Sequence, residues 1–299
     1  MRILKFWEVL RQAASEWNAD KAPRLGAALA FYTVFSIAPL LVIAIAVAGF
    51  VFGKEAVEGQ LYQQLRDIVG TEGATALQAM IAGAHQPTTG IWATVLGVIM
   101  LLVGAAGLFG QLQDALNTIW DVEPKPGRGI WGFVRDRFLS FTMVLGCAFL
   151  LLVSLMVSAI LSALNGLFGE AHAGSMSQTI DFGISFAVIT GLFAMIYKFL
   201  PDVKIAWKEV WFGAGVTALL FTIGKWALGL YLGYSSISSA YGAFGSLAVL
   251  LIWLYYSSQI FLFGAELTKA YADKFGGKVV PSDNAVSLTK LAPPRMPQA

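Results

Sequence analysis

The hydrophobic pattern of the chain consists of long apolar stretches separated by short polar connections. The first stretch follows Arg24 and reaches Phe52, and no charged side chain occurs before Lys54. At about 1.5 Å per helical residue it is longer than a hydrocarbon core of about 30 Å. It also lacks the polar face of a soluble helix, so it predicts a membrane-spanning helix.

The first half of this stretch carries small and polar residues that suit contact with other helices. They are Gly26, Tyr32, Thr33, Ser36 and Pro39. Such residues allow close helix packing and local backbone adjustment, which a lipid-facing surface does not require. We therefore expect this half to face other spans, with Tyr32 and Ser36 as candidate contacts of a pathway or ligand.

The complete pattern predicts an all-α fold, a polytopic integral membrane protein with an N-terminal interfacial amphipathic helix over residues 1–23. The membrane domain is expected over residues 24–273, with an outer helical loop over residues 53–90. A flexible cytoplasmic tail is predicted over the proline-containing residues 274–299. The six predicted spans cover about residues 25–52, 91–110, 138–168, 180–200, 210–232 and 244–267.

The basic residues predict the orientation of these spans. Of the 20 Lys and Arg residues, 17 fall on the two termini and alternate connections, and two fall on the opposite connections. Because basic residues are enriched on the cytoplasmic side, both termini are predicted to be cytoplasmic. The net charge of +2 is too small to indicate a nucleic-acid-binding protein.

Lys225 is the remaining basic residue, and it lies inside the fifth predicted span. Counted from Val210, it lies roughly 22 Å along the helix, in the outer half of the membrane. A charge at this depth either faces a wet cavity or pathway, or snorkels to the outer headgroups. Asp181, at the outer end of the fourth span, is the acidic residue at comparable depth. Tyr231 and Tyr241, which flank a hydroxyl-rich connection, line either an outer vestibule or a plain turn.

A second group of polar residues is predicted at the cytoplasmic face. Glu266 ends the sixth span there, with Arg24, Lys198 and Lys204 as candidate partners and Asp114 as a competing acid. The group acts either as an ion pair that locks helix ends together or as a polar gate at the inner mouth of a pathway.

The sequence contains no recognisable catalytic, metal-binding or cofactor-binding motif. His85 and His172 lack neighbours at the spacing of metal ligands, and Cys147 lies in an apolar run as a small buried hydrophobe. No phosphate-binding loop and no nucleophile elbow occurs. We therefore expect no catalytic residue, no metal and no cofactor, and a protein that is not an enzyme.

Several blocks of sequence resemble the YihY/BrkB family of bacterial inner-membrane proteins. They are ALAFYTVFSIAPLL, QDALNTIW, YKFLPDVKIAW, Gly213–Ala214 and YGAFGSLAVLLIWLYYSSQIFLFGAEL, within about residues 5–273. The resemblance implies six spans, an inner-membrane location and a cytoplasmic N-terminus. An older family label, ribonuclease BN, is rejected because metal-dependent RNA hydrolysis needs clustered ligands and both histidines are predicted on the outer side.

The resemblance and the polar residues within the spans together favour a transporter or flippase of a lipid or other amphipathic envelope molecule. The alternative is a non-catalytic membrane scaffold or regulator that recruits an envelope protein through its tail and outer helices. The expected partners are membrane lipids and, for the scaffold, an envelope protein, but not nucleic acid. The sequence does not determine the substrate, the energy source or the oligomeric state.

Overall fold

The computed structural model describes residues 2–52, 66, 74–79, 81, 107–125, 170–234, 245–276 and 279–288. These parts of the chain are mostly helical. We number the long helices α1 (Arg2–Ala19), α2 (Ala22–Phe52), α3 (residues 107–119), α4 (Glu170–Phe199), α5 (Trp207–Tyr234) and α6 (Gly245–Phe275). The short strands are β1 (Val122–Pro124), β2 (Val203–Lys204), β3 (Val280–Pro281) and β4 (Ala285–Ser287).

Helix α6 lies at the centre of the described structure and packs against α1, α2 and α5, while α4 packs against α5. The largest apolar cluster joins α6 to α2, α3 and α4 through fully or almost fully buried side chains, among them Leu262, Leu29, Leu116 and Tyr197. Close packing of these buried side chains against one another fixes the positions of the helices around α6.

Helices α5 and α6 approach closely because each presents a glycine to a threonine of the other. Thr217 of α5 lies against Gly264, and Thr268 of α6 lies against Gly213. The Tyr197 hydroxyl of α4 donates a hydrogen bond to the Phe261 carbonyl at 2.7 Å and lies 3.1 Å from Thr217 Oγ1. The three helices are therefore joined by small-residue packing and buried hydrogen bonds, as is common between membrane helices.

Segment 200–206, between α4 and α5, is held to α3 by side-chain hydrogen bonds. Asn117 Oδ1 accepts from the Asp202 backbone N–H at 2.8 Å, and Asn117 Nδ2 donates to Asp202 Oδ2 at 3.0 Å. Gln113 Nε2 donates to the same carboxylate oxygen at 3.2 Å. Two blocks that are far apart in sequence, QDALNTIW and YKFLPDVKIAW, thus form one contact.

The C-terminal segment differs from the flexible tail predicted for residues 274–299. Helix α6 continues to Phe275, and residues 279–288 then fold back onto the bundle. Antiparallel pairing joins β4 to β1 and β3 to β2, with Glu123 opposite Val286. The backbone groups of this segment are therefore satisfied by pairing, which proline content alone does not reveal.

Two helical segments, Trp207–Leu228 and Leu247–Phe275, are long and apolar enough to cross a membrane. Ala22–Ile37 and Ser185–Phe199 are shorter apolar segments. Most of the loop expected over residues 53–90 and of the span expected over 91–110, and all of the span expected over 138–168, lie outside the described residues, so six spans remain a prediction. The predicted N-terminal helix is present as α1, which packs against α6 through Val9 and Ala13, whereas its apolar side chains Phe6 and Trp7 are exposed. Its role as an amphipathic helix in the membrane interface remains a prediction.

Candidate functional site

Helices α1 and α6 run antiparallel, and their contact ends in a group of charged side chains. Val9 and Ala13 have no exposed surface, and they pack with Leu267 and Ala270 of α6. Further along α1 the same face continues with the partly buried Glu16, and Asp20 follows in the turn directly after the helix. At the opposite end of this contact, Lys274 forms an ion pair with Glu8.

Glu266 is the most deeply buried member of this group, because none of its surface is exposed. Neither of its carboxyl oxygens accepts a hydrogen bond from a donor among the described residues. The neighbouring polar group is the Asp20 carboxyl, which lies within hydrogen-bonding reach. A buried carboxyl therefore faces a second carboxyl.

Lys269 is the basic side chain at the centre of this group, and its ammonium is already engaged. Its Nζ lies 2.7 Å from Asp121 Oδ2 and 3.5 Å from Glu16 Oε2. Only 14 % of the Lys269 side chain is exposed, so these ion pairs are only weakly screened by solvent. We call Glu16, Asp20, Asp121 and Glu266 around Lys269 the carboxyl cluster.

Two residues of left-handed backbone conformation lie in the turns that carry the cluster. Asp121, in the turn after α3, has φ of 50°, and Lys21, between α1 and α2, has φ of 55°. Non-glycine residues adopt this conformation at a cost, and aspartate tolerates it better than most. The turn at Asp121 directs its carboxylate to Lys269, and the turn at Lys21 follows Asp20 directly.

The electrostatic environment of Asp20 favours its protonated form. Burial raises the pKa of the Asp20 carboxyl above its usual 3.8. Lys269 acts in the opposite direction, whereas the negative charges of Asp121 and Glu16 add to the increase. Desolvation and like charges therefore outweigh one ammonium group.

The partners predicted for Glu266 lie elsewhere. Arg24 and Asp114 are exposed, and Lys198 donates a hydrogen bond to the Ile205 carbonyl with its Nζ 5.4 Å from the centre of the Trp207 ring. The sequence prediction missed the residues that surround Glu266, which come from α1, α6 and the turn after α3. Helical periodicity could have indicated these residues. Glu16 and Asp20 continue the stripe of Val9 and Ala13, and Glu266 and Lys269 share one face of α6.

A second candidate site surrounds Lys225, which is half-buried in a narrow crevice between α5 and α6. The other residues that line it are Phe221, Trp253, Tyr256, Ser257 and Ile260. No described carboxylate pairs with Lys225, and the side chain of Asp181 lies outside the described residues. Gly224 contacts Tyr256 and Ile260, so Lys225 is level with this part of α6, roughly 9 Å or more along the helix from Glu266.

Helix α5 carries three exposed tryptophans, Trp207, Trp211 and Trp226. Trp207 is 46 % exposed and Trp226 is 68 % exposed, and they are 19 residues, or roughly 28 Å, apart along α5. This separation matches the thickness of a hydrocarbon core with aromatic side chains at both boundaries. That Lys225 lies near the outer boundary of the membrane, within reach of lipid headgroups, stays a prediction.

The other predicted pathway residues do not join these two sites in the described structure. Tyr231 is exposed. Tyr32 is also exposed, whereas Ser36, one helical turn further along the same side of α2, is buried. Tyr241 lies outside the described residues.

The described residues contain no group of three or more His, Cys, Asp or Glu side chains arranged to hold a metal ion. The four carboxylates of the cluster are thus spread around Lys269 instead of converging on one point. His85, Cys147 and the side chain of His172 lie outside the described residues. The expectation that the protein is not an enzyme stays a prediction.

Comparison with known proteins identifies relatives across most of the chain. A UPF0761 membrane protein of Pseudomonas paraeruginosa is 28% identical over 270 residues, which are 87% of this chain and 62% of the relative. The UPF0761 membrane protein of Ralstonia nicotianae is 28% identical over 286 residues, covering 89% and 60% of the two chains. The chain thus spans about three fifths of the length of these curated relatives. No solved structure matches it.

The family comparison covers a still larger part of the sequence. Residues 13–288 match the family described as virulence factor BrkB. The matched range includes the carboxyl cluster, the Lys225 crevice and the strand pairs of the C-terminal segment. This chain is therefore a bacterial-type membrane protein that belongs to the BrkB family, as the sequence blocks predicted.

Proposed function

We propose that this protein moves an amphipathic molecule with an anionic headgroup, such as a lipid, across the bacterial inner membrane. The observation that carries the proposal is Lys225, a half-buried cation without a described counterion in a narrow crevice between α5 and α6. Both termini are proposed to be cytoplasmic, from the distribution of basic residues.

The lining of the crevice fits such a ligand better than it fits a small hydrophilic solute. Phe221, Trp253 and Ile260 offer apolar surface to an acyl chain, while Lys225 and Ser257 offer donors to a headgroup. Partial removal of a charged group from water costs free energy. A lysine at such a position therefore either has a functional role or extends its ammonium group to the lipid headgroups. An anionic headgroup would supply the counterion of Lys225 whether the ammonium group lies in the crevice or reaches the headgroup region.

The test is movement of fluorescent lipids in liposomes that contain the purified protein. We expect the wild type to move a phosphatidylglycerol probe faster than a phosphatidylcholine probe. Lys225→Met should slow phosphatidylglycerol about tenfold or more, because a hydrogen bond to a charged group contributes about 1.5–3 kcal/mol and 1.4 kcal/mol corresponds to a factor of ten. Lys225→Arg keeps the charge and should retain most of the activity.

Lys208→Met is the matched control, because Lys208 is an exposed lysine near the opposite end of α5. It should move both probes at the wild-type rate. Movement at the protein-free background rate by wild type and Lys225→Met alike would refute the proposal. The membrane scaffold would then be the better interpretation.

A further inference from the structure

The contact between Glu266 and Asp20 needs a hydrogen-bond donor, and the rest of the cluster does not supply one. Glu266 is completely buried, and neither its oxygens nor Asp20 Oδ2 receives a hydrogen bond from a described donor. Two ionised carboxylates can only accept hydrogen bonds. Their contact therefore becomes a hydrogen bond only if one of them carries a proton.

The charges on the surrounding elements leave Glu266 without a counterion. Helix α1 contributes Glu16, the turn after it contributes Asp20, and the turn after α3 contributes Asp121. Helix α6 contributes Lys269, with the exposed Asp273 at the rim. Lys269 is the basic group among them, and Asp121 and Glu16 already engage its ammonium. An unpaired buried charge is strongly unfavourable, so a neutral carboxyl is the favourable state.

The remaining charged groups near these elements do not change this balance. Lys21 and Arg24, at the start of α2, are exposed to solvent. Lys274 forms its ion pair with Glu8 two helical turns from Glu266. Glu209 of α5 is buried, but it lies beside Gly276, beyond the end of α6.

We propose that Glu266 and Asp20 form a proton-binding site in which one proton is shared between the two carboxyls and holds α1 against α6. Loss of the proton leaves two negative charges facing each other between these helices, beside two further carboxylates and one ammonium group. The repulsion then weakens the contact of α1 with α6. The site is separate from the Lys225 crevice, and the proposal does not depend on which molecule is transported.

Infrared difference spectroscopy of the purified protein in lipid nanodiscs tests the shared proton directly. A protonated carboxyl gives a C=O stretching band that is absent from carboxylates and shifts in D₂O. We expect the wild type to lose such a band as the pH is raised. Glu266→Gln keeps the size of the side chain and supplies an N–H donor to Asp20, so this variant should lack the band. Asp20→Asn should lack it too, or lose it at lower pH.

Glu123→Gln is the control, because Glu123 is an exposed carboxylate of β1 outside the cluster. Its pH-dependent spectrum should match that of the wild type. Hydrogen–deuterium exchange provides a second readout: amides of α1 should exchange faster as the wild type loses its proton, and this increase should be absent from Glu266→Gln.

Three results would overturn the proposal. The first is a protonated-carboxyl band that persists unchanged in both Glu266→Gln and Asp20→Asn. The second is a wild-type spectrum in which no such band responds to pH. The third is a spectrum that changes with sodium concentration at constant pH but not with pH, which would assign the site to a metal cation. Lipid movement is not part of this measurement, so its outcome is independent of the test of Lys225.

Discussion

Replacing Gly264 by alanine perturbs the contact that joins α4, α5 and α6. A Cβ atom at this position would lie 2.6 Å from the Tyr197 hydroxyl oxygen and 2.9 Å from Thr217 Cβ, and it would overlap Thr217 Oγ1. Rotation of the threonine hydroxyl does not remove the conflict, because Thr217 Cβ itself is too close. The helices must therefore move apart.

The size of the effect follows from these distances. Ordinary contact of a Cβ atom begins at 3.4 Å, so the shortfall relative to Tyr197 is 3.4 − 2.6 = 0.8 Å. Overpacking of this kind costs about 1–3 kcal/mol. Disturbing the contact between Tyr197 and Thr217 adds about 0.5–1.5 kcal/mol, and the better helix propensity of alanine returns up to about 1 kcal/mol. We expect Gly264→Ala to lower the free energy of unfolding by about 2 kcal/mol.

Reversible unfolding by SDS in mixed micelles, followed by far-UV circular dichroism, measures this free energy. Gly215→Ala is the matched control, since Gly215 lies in α5 with no atom within 4 Å of an added Cβ. It should raise the free energy of unfolding by up to about 1 kcal/mol. In a double variant, Thr217→Ala removes the overlapping hydroxyl. The loss of unfolding free energy in the double variant should therefore be smaller than the sum of the losses in the two single variants, by about 0.5–3 kcal/mol. Equal stability of the two glycine variants, or strict additivity, would refute the close-packing explanation.

Three further predictions concern the segments around the carboxyl cluster. Asn117→Ala removes two hydrogen bonds to Asp202 and should lower the free energy of unfolding by about 1–3 kcal/mol; an unchanged SDS titration would contradict this. Truncation after Gly276 removes β3 and β4 and should lower the melting temperature, whereas truncation after Leu288 should leave it unchanged; equal melting temperatures would show that the strand pairing is not stabilising. The raised pKa of Asp20 means that the folded state holds the proton of this carboxyl more tightly than the unfolded state does. The contribution of Asp20 to the free energy of unfolding is therefore present below pH 3.8, and it is lost as the pH rises through the raised pKa. Asp20→Asn should flatten this part of the pH profile of the melting temperature, and a profile identical to that of the wild type would exclude the effect.

The sequence determined the class of protein because that information is local. Long apolar stretches with few charges can only be buried or placed in lipid, and two of them form the long helices α5 and α6. The same reasoning predicted that Glu266 belongs to a polar group at the end of its helix. Composition and periodicity are properties of a single segment, and these features need no knowledge of the neighbouring segments.

The tertiary structure decided which segments meet. Glu266 lies beside Asp20, about 250 residues away in sequence, because α1 runs antiparallel to α6 in one particular register. The C-terminal segment pairs with β1 and β2 because their backbone groups remain free after the helices have packed. Hydrophobic patterning does not specify these contacts, since any apolar helix face can bury another. Close packing of side chains and the pairing of individual polar groups select one arrangement, and that arrangement places a buried carboxyl opposite a second one.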